Sequence, residues 1–128
     1  MLVEPDLNAR LRLGTAVARR SWSFQTARIG EEALAIARWF EPTVIVLDLH
    51  CPDIPGYELA ERLRATRNTA RSVIIGIADR GASERVLSAP VDALLTRPFA
   101  PAALFDTIEM VCERRLGTYP QVPASSRS

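Results

Sequence analysis

The chain's 128 residues suit one domain with one core, and its 48% hydrophobic and 24% charged residues form an ordinary globular balance. A formal net charge of +1 supplies no global field toward nucleic acid or an anionic membrane, and no apolar run is long enough to span a bilayer. All 16 basic residues are Arg, which removes any lysine-based mechanism, and one His (His50) with two separated cysteines (Cys51, Cys112) excludes an all-protein zinc site.

In chain order, Met1 to Glu4 reads as a brief first strand. "DLNARLRLGTAVARRSW" follows as a helix, with Asp6 as N-cap and Leu7, Leu11, Gly14 and Val17 along one face. "SFQTA" is a second, weaker strand. "GEEALAIARWFEP" predicts a helix over 30–42, with Glu31 and Glu32 near its positive end and Pro42 closing it. "TVIVLDL" is β-branched and unbroken, which predicts a central strand covered on both faces. "GYELAERLRAT" is a third helix and "SVIIGIAD" another buried strand. "ASERVLSAP" supplies only a short helix before Pro90, "DALLTRPF" a fifth strand, and "PAALFDTIEMVCERRL" a final helix with Pro101 in its first turn. "GTYPQVPASSRS" is rich in Pro and Ser, so 1–116 reads as the domain and 117–128 as a disordered tail or linker stub.

This alternation predicts an α/β fold, a (βα)5 doubly wound parallel sheet of five strands. Such sheets bind ligands beyond the carboxyl ends of the strands, where strand order reverses, and Asp48 ends the third strand. Pro52 and Gly56 already supply the turn chemistry, so Asp48 is not needed as a turn residue. An enzyme on a similar sandwich would want Asp-x-Asp here, and the sequence has Asp48-Leu49-His50, with no glycine-rich phosphate loop or nucleophile elbow. Trp22, Trp39 and Phe40 lie at element ends, where core packing is expected; joint exposure of Trp39 and Phe40 would mark a partner patch.

"LDLHCPDIPGYEL", "ARIGEEALAIARWFEPTVIVLDL" and "LLTRPFAPAAL" are together similar to signature segments of the receiver domain of bacterial two-component response regulators. The resemblance spans Met1 to about Arg115. It implies the flavodoxin-like receiver fold, a cytoplasmic signalling module rather than an enzyme, and Asp48 as acceptor of a phosphoryl group from a histidine kinase. It also implies Mg²⁺ held by Glu4, Asp48 and the His50 carbonyl.

Several positions depart from the family pattern. Aligned by Arg10, Glu4 matches the first acid of strand one, whereas Pro5 stands at the second and offers no ligand; Asp6 is next door. Ala78 occupies the Ser/Thr position, Arg97 the lysine position, Leu94 the aromatic switch position and Cys51 a usual Met. The Arg97–Pro98 bond is expected to be cis, and helix four is about one turn short. Arg keeps the lysine charge but not its shape, and its planar fork could pair with Asp48 itself. His50 is expected as an exposed loop residue; the functional alternative has it tuning dephosphorylation or bringing in a softer metal.

The expectation is therefore an atypical receiver acting mainly as a protein-interaction module, with weakened Mg²⁺ binding and weak or absent phosphorylation at Asp48. The alternative is an ordinary Mg²⁺-dependent phosphoacceptor in a His-to-Asp phosphorelay. Expected partners are a histidine kinase or another signalling protein, with no nucleic acid and no membrane. A homodimer through helix one or helix five stays open.

Overall fold

Five strands alternate with five helices in the computed structural model, which describes residues 1–117. They are β1 (Leu2–Val3), α1 (Leu7–Arg19), β2 (Thr26–Ala27), α2 (Gly30–Ile36), β3 (Val44–Asp48), α3 (Gly56–Ala65), β4 (Val73–Ala78), α4 (Glu84–Leu87), β5 (Ala93–Thr96) and α5 (Pro101–Leu116). Every strand pair is parallel, in the order β2-β1-β3-β4-β5. The chain thus reverses direction across the sheet between β1 and β3, and the crevice opens there.

The continuous apolar runs follow from cover on both faces. Val3, Ile45 and Leu47 pack toward Ala33, Leu59 and Leu63 of α2 and α3. Leu2, Val46 and Ile75 pack on the other face against Leu13 and Val17 of α1 and Leu104, Ile108 and Val111 of α5. β5 is an edge strand, and its start is fastened by Asp92, whose Oδ2 accepts from Arg64, Arg115 and the Ile74 N–H at 2.8 Å each.

The elements differ from the sequence expectation at their edges. α2 stops at Ile36 rather than running to Pro42, and turns carry the chain through Trp39. Trp39 is 63% exposed and not packed in the core, while Phe40 is half-buried beside it. Trp22 does pack as expected, edge-on to Phe105 with ring centroids 5.5 Å apart. α1 buries Leu13 and Val17 and leaves Leu7 and Leu11 exposed. The Leu7–Leu11 stripe and the Leu13–Val17 stripe are equally regular in sequence; docking against α5 and the sheet selects the second.

Asp6 caps α1 as expected, its Oδ2 accepting from Ala9 N–H at 2.8 Å. α2 has no cap of its own, because Ile29 stands at that position. Asp53, from the loop after β3, instead accepts from the Gly30 and Glu31 N–H groups at 2.9 Å each. These bonds outweigh the burial that opposes its charge and hold its carboxyl below the usual range. α4 is a single turn capped by Ser83, and α5 ends at Leu116 with Gly117 at φ 73°. The remainder of the stretch read as a tail, 118–128, lies outside the described residues.

Candidate functional site

Parallel register assembles the site. Val3 pairs with Leu47, so the next residue on each strand, Glu4 and Asp48, stand together at the sheet's crest. Both are buried, at 3% and 4% exposure. Ala78 pairs with Thr96, and the following residue, Arg97, donates its backbone N–H to the Ala78 carbonyl at 3.0 Å. The guanidinium therefore turns into the crevice. Its Nη2 bonds Asp48 Oδ2 and lies 3.5 Å from Glu4 Oε1, while Nη1 donates to Asp79 Oδ1 at 2.8 Å.

The other Asp48 oxygen, Oδ1, accepts from the His50 N–H at 2.7 Å, so both carboxylate oxygens are engaged. Arg10 steadies the neighbouring loop by donating to the Glu4 carbonyl at 2.8 Å and the Pro5 carbonyl at 3.2 Å. The Arg97–Pro98 peptide bond is cis. The cleft above these groups, about 460 Å³, is lined by Glu4, Asp48, His50, Asp79 and Arg97 among others.

Burial pushes the Glu4 carboxyl up to about 7, helped by its hydrogen bond to Asp48 and opposed by the Asp6 N–H and Arg97. Burial works against the Arg97 charge, yet Asp48, Asp79 and Glu4 together hold its pKa above the ordinary value. Cys51 packs under the loop with its thiol raised to about 12, chiefly by burial.

Glu4 makes stability depend on pH. Its folded value lies above the ordinary 4.5, so the native state holds the proton more tightly than the unfolded chain does. That stability is complete below about pH 4.5 and is lost as pH rises through about 7. Because the Asp6 N–H and the Arg97 charge oppose the rise, the loss is expected to be about 1–2 kcal/mol. Urea unfolding at the two ends of this window measures it, and Glu4→Gln should flatten the slope. An unchanged slope in that variant would assign the titration elsewhere.

The structure brings Glu4, Asp48, Ala78 and Arg97 together and puts His50 at the rim. His50 is exposed in a turn, as expected, and its Nε2 in addition accepts the Asp79 N–H at 2.9 Å. Ala78 is fully buried in the apolar core cluster with Leu47 and Leu49, and its side chain carries no hydroxyl. Leu94 is 37% exposed on β5. Asp79 went unnoticed in the sequence, though its place just after the β4 terminus was a usable signal.

As cation ligands the donors are Glu4, Asp48 and the His50 carbonyl. Pro5 offers no side-chain oxygen, Asp6 is spent on the α1 cap, and Arg97 places a cationic nitrogen between the two acids. Among the described residues no three His, Cys, Asp or Glu side chains converge as metal ligands. This set does not fit Mg²⁺, which asks for six oxygens in near-octahedral order.

A doubly wound parallel sheet with a buried carboxylate at its topological switch point defines a flavodoxin-like domain. A family model described as the response regulator receiver domain matches residues 1–109, and the chain belongs to that family. The cell cycle response regulator CtrA of Brucella ovis, and likewise that of Brucella abortus, is 27% identical over 118 residues, covering 91% of this chain and 51% of the relative. The chain thus spans about half the length of the curated relatives it matches.

Among solved structures, the chemotaxis response regulator CheY4 of Vibrio cholerae superposes with a TM-score of 0.78 at 22% identity, covering 86% of this chain and 94% of that one. A CheY-like receiver domain protein of Methanospirillum hungatei gives 0.81 at 20% identity, covering 91% and 94%. The receiver domain of a histidine kinase from Syntrophus aciditrophicus gives 0.81 at 19%, covering 96% of each. These likenesses establish the fold.

Receiver domains serve two-component systems, in general as signalling modules rather than enzymes, and interact with histidine kinases and other signalling proteins. They generally bind Mg²⁺ at an acidic site. No described helix here is long and apolar enough to cross a membrane.

Proposed function

We propose that this chain is an atypical receiver whose acceptor aspartate is locked by Arg97. It acts mainly as a protein-interaction module, with phosphorylation at Asp48 weak or absent. The observation that carries this reading is the occupancy of Asp48: Arg97 takes one carboxylate oxygen and the His50 N–H the other. A nucleophilic oxygen must first leave the guanidinium before it can meet phosphorus, and a planar fork bonded to several carboxylates yields it less readily than a lysine ammonium would.

Two further features support the reading. Without a second acid at Pro5, Mg²⁺ binds weakly, so little neutralises the incoming phosphoryl oxygens. Ala78 cannot hydrogen-bond a phosphoryl oxygen, which forgoes about 0.5–1.5 kcal/mol if that bond is neutral. The module spans 1–116, catalyses no reaction of its own, and works in the cytoplasm on a histidine kinase or another signalling protein, without touching nucleic acid or membrane.

Acetyl phosphate with Mg²⁺, followed on a phosphate-affinity gel with Asp48→Asn as control, tests the proposal. Little or no shifted band is expected. A stoichiometric band that vanishes in Asp48→Asn would overturn it and establish the ordinary phosphoacceptor, with Glu4, Asp48 and the His50 carbonyl holding the cation through added waters.

A further inference from the structure

The polar contacts of the cleft close into a ring of four residues. Arg97 Nη2 donates to Asp48 Oδ2, and Arg97 Nη1 donates to Asp79 Oδ1 at 2.8 Å. The Asp79 N–H donates to His50 Nε2 at 2.9 Å, and the His50 N–H returns to Asp48 Oδ1 at 2.7 Å. Asp48 closes β3, while His50, Asp79 and Arg97 come from the segments that follow β3, β4 and β5. The ring therefore ties three separate parts of the crest to one acceptor carboxylate.

A guanidinium bonded through one arm can still turn about its Nε–Cζ bond. Two arms bonded to carboxylates on different loops stop that rotation. Asp48 takes only Nη2, and Glu4 lies 3.5 Å from the same nitrogen, so neither acid restrains the other arm. Asp79 does. With its side chain 57% exposed, Asp79 adds little to stability, and what it supplies is orientation. Its own N–H is held across the cleft by the His50 ring. We propose that Asp79 and His50 are positioning residues that hold the Arg97 fork against Asp48, with Asp79 as the contact whose loss lets the guanidinium turn away. The inference rests on the locked acceptor proposed above and assigns what holds the lock closed.

Nitrogen-15 NMR of the Arg97 guanidinium in the full chain tests it, with Arg97→Met identifying the signal by its loss. In the parent, slow rotation about Nε–Cζ is expected, with separate Nη1 and Nη2 signals. Asp79→Ala should speed the rotation about fivefold, the release of one hydrogen bond of ordinary net strength. Asp79→Asn keeps an oxygen without the charge and should fall between. His50→Ala should speed it about twofold, because Asp79 stays but loses the bond that holds its N–H. Each variant should lose no more than about 4 °C in melting temperature, since an exposed pair contributes little. Fast rotation in the parent would overturn this proposal together with the locked acceptor beneath it. Slow rotation indifferent to Asp79→Ala, or quickened by it but indifferent to His50→Ala, would leave the lock in place and overturn the ring.

Discussion

Arg97→Met is expected to lower the unfolding free energy by about 3 kcal/mol at neutral pH, read by urea titration. The side chain holds Asp48 and approaches Glu4, two carboxylates with almost no access to water. Removing one partner of a buried ion pair leaves an uncompensated charge, which typically costs 3–5 kcal/mol. Here the lower end applies, because the guanidinium is itself 29% exposed and partly screened. Methionine keeps much of the stem's volume, so the loss reports charge rather than a cavity. The loss should shrink toward acid pH as Glu4, already raised to about 7, takes up its proton. A neutral or stabilised variant would mean that Arg97 locks the site without holding the fold.

Gly56→Ala is expected to be comparably costly, about 3 kcal/mol, for a steric reason. A Cβ on Gly56 would fall 2.5 Å from the Leu49 carbonyl oxygen and 2.6 Å from its Cα. The obstacle is backbone of the segment that follows Asp48, so no side-chain rotation relieves it. α3 must move back, or the loop carrying His50 must shift and loosen the His50 N–H bond to Asp48. A fall in melting temperature of about 10 °C is anticipated for a chain of this size. NMR shifts at His50 and Asp48 should accompany it. A variant as stable as the parent would show that the first turn of α3 has room to spare.

The sequence showed the crest of the site more fully than its wiring. Asp48 ends an unbroken β-branched run, so its place at a strand terminus was legible, and Glu4 and Arg97 stood out by their resemblance to the receiver pattern. The pairing of Arg97 with Asp48 was open to anticipation because a planar fork has that reach. Asp79 was not anticipated, since its role exists only where β4 and β5 end side by side. His50 likewise looked like a bare loop residue until Asp79 supplied a donor N–H from another loop.

By itself the sequence determined the alternation of strands and helices, the burial of β3 and β4 on both faces, the short α4 and the position of Asp48 at the end of β3. These follow from local periodicity and from turn and cap residues, which act over a few positions. Only the tertiary structure decided that α1 buries Leu13 rather than Leu11, that Asp53 caps α2 from 22 residues away, and that one guanidinium spans three acids. Each of those outcomes is settled by groups distant in sequence, and no local pattern of residues records which of them will meet.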